Sequence, residues 1–92
     1  MFPSRPTFGF ALGRIIMSSQ LEKRHQEMIP ALGRHMLGGD WGKVSARVRK
    51  ANERALASGK GRIRSIYFTY DGVKFIVTTN AKRSVTTVVV SD

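Results

Sequence analysis

Across 92 residues, 16 lysines and arginines stand against 6 aspartates and glutamates, a formal net charge of +10, and hydrophobic residues make up 41 % of the chain. That length supports one domain around one core and leaves no room for a large internal cavity, so no cofactor is expected; the apolar content is too high for a disordered basic tail. Cysteine is absent, which removes disulfides, thiolate zinc sites, iron–sulfur clusters and cysteine nucleophiles together, and a cytoplasmic location is the expectation.

Residues 1–7 hold Pro3 and Pro6 without any period and read as a flexible lead-in, leaving 8–92 as a single α+β domain. Phe8 to Met17 is apolar but broken by Gly9, Gly13 and Arg14. It is too short to span a bilayer and too interrupted for a secretory signal, so no membrane partner is expected. Arg5 and Arg14 precede the first acid, Glu22, which leaves an organellar transit peptide as a minor alternative. Ile15 and Ile16 make this stretch a strand candidate.

Ser19 with Glu22 three residues on is a capping-box spacing and predicts a helix start. Leu21, His25, Met28 and Ile29 fall on one helical face, and Pro30 either stops that helix or opens a new one at its first position. Leu32 and Met36 form the next apolar pair before Gly38 and Gly39 end the segment. From Val44 to Ser58, Val44, Val48, Ala51 and Ala55 recur at i, i+4, i+7 and i+11, a narrow stripe of small residues, and Gly59 and Gly61 end the helix. The period then changes to two: Ile66, Phe68 and Tyr70 alternate, then Val73, Phe75 and Val77, then Val85, Thr87 and Val89. Asp71-Gly72 predicts a two-residue hairpin turn, and Asn80 to Arg83 a longer one. The expected fold is α+β: two to three helices packed on a three- or four-stranded antiparallel meander, in the order β-α-α-α-β-β-β.

The charge is concentrated. Between Lys43 and Arg64, eight basic residues (Lys43, Arg47, Arg49, Lys50, Arg54, Lys60, Arg62, Arg64) meet one acid, Glu53, so 22 residues carry +7 of the +10. Lys43, Arg47, Lys50 and Arg54 stand at i, i+4, i+7 and i+11, one stripe of like charges that repel by a few tenths of a kcal/mol per pair. A solvated face would keep a small protein soluble, but one-sided charge favours a phosphate-facing surface, extended by Lys60, Arg62 and Arg64 and by Lys82 and Arg83. Such a helix can lie along a groove and contact phosphates. A helix-turn-helix built from Pro30 to Leu37, the Gly38-Gly39 turn and the basic helix is a weaker alternative, because no side chains mark themselves as base readers. Tyr67, Phe68, Tyr70 and Phe75 can stack bases, but aromatics on a sheet face under helices are better read as core.

Enzymatic signals are sparse. His25 shares an apolar helical face and reads as partly buried; His35 sits near a helix end, where it can cap carbonyls. Neither has metal-ligand spacing, and the acids offer no paired carboxylates. Asp40 reads as a helix cap and Trp41 as a core plug. Metal-independent ribonuclease chemistry needs only a proton acceptor, a proton donor and a cation on the phosphate, which His35, Arg83 and hydroxyls such as Thr86 can supply. Small toxin ribonucleases with helices before a sheet share this outline.

Arg34-His35, Gly39-Asp40-Trp41-Gly42, Asn52 with Ala55-Leu56 and Gly59, Arg62-Ile63 with Ser65 and Tyr67, and Arg83-Ser84-Val85-Thr86-Thr87-Val88 together resemble a group of small proteins of bacterial plasmids, integrated elements and prophages. Leu12-Gly13-Arg14-Ile15-Ile16 is similar to the start of that group, so the likeness spans nearly the whole chain. The resemblance implies a mobile-element accessory protein of the bacterial cytoplasm and carries over no activity or catalytic residue. Those relatives are more acidic after Gly-Asp-Trp-Gly and end in Leu-Leu-Pro, where this chain has Ser45-Ala46-Arg47-Val48-Arg49-Lys50 and ends Val89-Val90-Ser91-Asp92. The shared residues are then expected to serve the fold and the basic surface the function. The expected partner is nucleic acid, or a host ribonucleoprotein such as a CRISPR effector that an anti-defence protein would block. Alternatives are the ribonuclease and a homodimer paired through the Val85 to Val90 strand.

Overall fold

The computed structural model describes residues 10–91; the lead-in at 1–7 and the Phe8-Gly9 start of the expected strand lie outside it. The elements are β1 (Arg14–Met17), α1 (Ser19–Glu22), α2 (His25–Leu37), α3 (Ala46–Ser58), β2 (Ile63–Phe68), β3 (Lys74–Thr79) and β4 (Val85–Val90). They form one four-stranded sheet in the order β1-β4-β3-β2. β2, β3 and β4 are the expected antiparallel meander, but β1 runs parallel to β4, so the sheet is mixed. A parallel neighbour needs a long crossover, and here the whole helical segment and two strands intervene. β4 therefore lies inside the sheet between β1 and β3, and the free edge expected of Val85 to Val90 for dimer pairing is absent.

The helical half departs from the sequence pattern in four places, one being that α3 begins at Ala46 with Ser45 as its cap, so Val44 and Lys43 lie ahead of the helix rather than on its stripes. Ser18, not Ser19, precedes α1, and its side chain makes no capping bond. The chain breaks at Lys23-Arg24, so Leu21 and Met28 reach the core from two different helices while His25 and Ile29 are exposed. Pro30 neither stops nor starts a helix: α2 runs through it. Interior proline costs about 3 kcal/mol, which the burial of Met28, Ala31 and His35 on the same helix offsets.

The strands bury the face opposite to the one their apolar alternation suggests in β2 and β4. Helices cover Ile63, Ser65, Tyr67, Phe75, Val77, Thr79, Thr86 and Val88, whereas Ile66, Phe68, Val85, Thr87 and Val89 are half-buried or exposed on the other side. Both faces of β2 and β4 carry apolar residues, so alternation gives the period without the parity. The parity is decided by His35, whose imidazole needs the hydroxyls of Ser65 and Thr79 beneath it. Two clusters make the core: Leu21, Met28, Ala31, Tyr67, Phe75, Val77 and Val88 under α1 and α2, and Trp41, Val44, Ala55 and Ile63 under α3.

The Asp71-Gly72 hairpin closes with three residues rather than two. Thr69 donates its N–H to Val73, Gly72 donates to Thr69, and Gly72 takes a positive φ of 89°, the type I turn with a following left-handed residue. Arg24 clamps this turn onto α2 through a bidentate pair with Asp71 at 2.7 and 2.9 Å.

Candidate nucleic-acid interface

α3 is set against the outer edge of β2, and an asparagine does the setting. The Asn52 carboxamide donates to the Arg64 carbonyl at 2.8 Å and accepts the Arg64 N–H at 3.1 Å, completing the edge as a neighbouring strand would. Further along, Ile66 donates to the Trp41 carbonyl and accepts from the Lys43 N–H. Gly42 lies so close that a Cβ would overlap the Ile66 carbonyl, and it adopts φ +73°, which an L side chain disfavours. The edge is thus blunted against pairing with another chain. Asn52 takes the core position expected for Ala51, which is exposed; the apolar stripe is Val48, Ala55 and Leu56 around that amide.

Rotating Asn52 inward turns the cations outward. Lys43, Arg47, Arg49, Lys50, Arg54, Lys60, Arg62 and Lys82 are all exposed, and among the described residues none is in a salt bridge. The cations that do pair lie elsewhere: Arg24 with Asp71 and Glu27, and Arg34 with Asp40. Ser45 caps α3 by accepting the Val48 N–H at 3.2 Å, and no acid occupies the first turn. Arg47 and Arg49 therefore sit at the positive end of the helix dipole, where each cation is unfavourable by about 0.3–1 kcal/mol at low ionic strength.

The two remaining candidate cations are partly buried. Arg83, at φ 58°, donates to the carbonyls of Gly61 (2.7 Å), Asn80 (2.9 Å) and Ala55 (3.3 Å). It ties the β3–β4 loop to the C-terminal end of α3 and to Gly61, the residue before Arg62. Arg64 is partly buried, and its Nε has no hydrogen-bond partner.

His35, Arg83 and Thr86 do converge, but inside the protein. His35 is fully buried; its Nδ1 is 2.5 Å from Ser65 Oγ and its Nε2 2.9 Å from Thr79 Oγ1. Thr79 continues to Thr86 at 2.7 Å, and Thr86 donates to the Leu12 carbonyl at 2.6 Å. A carbonyl only accepts, so the chain has one proton order. Thr86 accepts from Thr79, Thr79 accepts from His35 Nε2–H, and Ser65 donates to Nδ1. Burial, assisted by the Arg83 charge, lowers the His35 pKa from 6.5 to about 4. The Phe10 ring closes the remaining side edge-on at 5.3 Å. With every polar atom satisfied and no exposure, this histidine holds the core together and is not presented to a substrate; nor does it cap a helix end.

The residues of the Gly-Asp-Trp-Gly segment are likewise structural. Asp40 does not cap α3; it binds Arg34 at 2.7 and 3.0 Å and accepts the Gly42 N–H. The Arg34 guanidinium lies 4.4 Å from the centre of the Tyr67 ring, whose hydroxyl donates to the Asp40 carbonyl at 2.6 Å. Trp41 is 3 % exposed and is the core plug its size suggests. Among the aromatics, Tyr67 and Phe75 are core, while Phe68 and Tyr70 are 49 % and 95 % exposed. The described residues contain no cluster of three metal-ligating side chains and no helix long and apolar enough to cross a membrane. Comparison with protein-family models, curated proteins and solved structures gives no match.

Proposed function

We propose that this protein binds the sugar-phosphate backbone of nucleic acid through the surface formed by α3, the Lys60 to Arg62 turn and the Lys82 loop. The observation that carries this reading is the set of exposed, unpaired cations on α3, which repel one another and, at Arg47 and Arg49, are opposed by the helix dipole as well. Among the described residues none of them is in a salt bridge, and a polyanion is the ligand that turns their mutual repulsion into attraction. Among the described residues Glu53 is the acid on the helix itself, and the exposed Asp40, already bound by Arg34, lies near Arg49. In the mobile-element setting that the sequence resemblance implies, the acceptor is host nucleic acid or a ribonucleoprotein that displays it.

The test is an anisotropy titration of labelled DNA and RNA at 50 and 200 mM salt, comparing the unaltered protein with the double variant Arg47→Glu, Lys50→Glu. Affinity is expected to fall at least a hundredfold over that salt range, in keeping with several phosphate contacts. The double variant is expected to lose most binding while its circular dichroism stays unchanged and its unfolding midpoint is no lower, since an acid at position 47 suits the start of α3 and the like-charge repulsion is relieved. Retention of binding in the folded double variant would refute the assignment.

A further inference from the structure

The helices occupy one face of the sheet; on the other, among the described residues, Ile66 at the β2 edge packs against the Trp41 and Val44 cluster and the rest carries no covering helix. That open face carries Arg14 and Ile16 from β1, Arg64, Ile66 and Phe68 from β2, Lys74, Ile76 and Thr78 from β3, and Val85, Thr87 and Val89 from β4; none of these is buried. Its composition is unusual for a solvent-facing sheet, which normally alternates apolar-in with polar-out. Its centre is apolar or β-branched, and every charged residue on it is a cation. Phe68, 49 % exposed, stands directly across from Lys74 in the register, and Tyr70 follows at the hairpin tip. At the opposite end, Arg62, Thr78, Asn80, Ala81, Val85 and Thr87 surround a shallow basin of about 450 Å³. Between the two lies the partly buried Arg64, whose Nε is enclosed without a hydrogen-bond partner.

We propose that this open face is a platform for single-stranded nucleic acid, with unpaired bases on the sheet and the backbone held by the cations around it. The proposal rests on the phosphate-binding reading of α3 and names the form of ligand that reading leaves open. A duplex hides the faces of its bases and presents only charge to the protein, so it has no use for an exposed phenylalanine or an apolar sheet centre; unpaired bases stack on aromatic rings and apolar sheet surface. From Arg62 to Phe68 the strand provides a track of about 20 Å. It runs beside α3, because Asn52 and Lys43 fasten that helix segment to the same strand. A second copy of the chain is the competing occupant of a bare apolar face, but stacking two such faces would set Arg14, Arg64 and Lys74 of one against those of the other, with no acid on either to pair them.

The experiment uses one 12-nucleotide sequence as labelled single-stranded RNA, as single-stranded DNA and as a DNA duplex, titrated at low salt against the unaltered protein, Phe68→Ala, Phe68→Trp and the α3 double variant. Single strands are expected to bind at least tenfold more tightly than duplex. Phe68→Ala is expected to weaken single-strand binding about tenfold without changing duplex binding or the salt dependence. Phe68→Trp should restore the affinity, and its fluorescence should be quenched by the bound strand, a readout that a purely structural role would not move. The α3 variant, in contrast, should weaken all three probes together. If the α3 variant weakens binding but Phe68→Ala binds single strands like the unaltered protein, or if duplex is preferred, the platform is overturned while the phosphate surface stands; absence of binding by any probe overturns both. A sedimentation dimer abolished by Phe68→Ala would assign the face to self-association and overturn the platform. Similar affinities for RNA and DNA strands are expected, because no 2′-hydroxyl contact is invoked.

Discussion

Acidification should destabilise this protein through one buried imidazole. In the folded state His35 resists protonation down to about pH 4 because burial and the Arg83 charge disfavour its cation, whereas in the unfolded chain it takes a proton near 6.5. Between those values the unfolded state binds more protons than the folded one, so stability falls as pH falls; the contribution is fully present above pH 6.5 and lost by about 4. The interval corresponds to roughly 3 kcal/mol, approached at a slope of up to about 1.4 kcal/mol per pH unit. That is a large fraction of the 5–15 kcal/mol typical of a small domain. The carboxylates act in a lower range. Arg34 holds Asp40, and Arg24 holds Asp71, below the usual carboxylate values, so what those pairs contribute is present above about pH 4 and lost below it. Urea unfolding followed by the emission of the single tryptophan, Trp41, at pH 7, 6, 5 and 4.5 measures the effect. His35→Gln keeps a side-chain N–H for Thr79 but cannot titrate, and it should be less stable at pH 7 and flat across the same interval. A constant midpoint in the unaltered protein between pH 7 and 4.5, or an equal slope in His35→Gln, would refute the linkage. The same proton order also predicts the neutral Nε2–H tautomer for His35 by imidazole nitrogen NMR at pH 7; an Nδ1–H pattern would break the chain of inference from the Leu12 carbonyl.

Two further substitutions probe the edge of the sheet. Asn52→Ala removes both bonds to Arg64 and leaves a buried strand edge unsatisfied, with an expected loss of about 2–3 kcal/mol in urea unfolding and faster aggregation on heating, since an unpaired edge is a template for other chains; an unchanged midpoint would show that the carboxamide is not what closes the edge. Gly42→Ala forces a side chain into the Ile66 carbonyl at a positive φ and should cost roughly 3 kcal/mol or more, whereas Gly39→Ala, next to open space, should lie within about 1 kcal/mol of the original. Equal midpoints for the two variants would contradict the close approach.

Period and punctuation were legible in the chain. The switch from 3.6 to 2 after Gly61 marks the passage from helices to strands, because local backbone geometry dictates how often a side chain returns to the same face. The glycine at the end of α3 was equally readable: Gly59 takes the left-handed conformation at φ 74°, which no other residue adopts as cheaply. The count and clustering of cations on α3 needed nothing beyond the sequence, and their exposure follows from the cost of burying unpaired charge. Trp41 as core followed from its size.

Tertiary structure decided what local patterns leave degenerate. Strands apolar on both faces do not say which face the helices cover, and here the choice fell to His35, a residue whose two nitrogens require partners on β2 and β3 that lie far apart in sequence. The same non-local requirement took Ser65, Thr79 and Thr86 into the core and left Ile66, Phe68, Val85 and Val89 toward solvent. Asn52 looks like an ordinary polar helix residue until the edge of β2 is beside it, and Arg83 looks like another cation of the stripe until four carbonyl groups surround it. Position along the chain fixes charge and periodicity, but whether a polar side chain is a surface group or a core fastener depends on which hydrogen-bonding groups folding brings within 3 Å of it, and those groups belong to other elements.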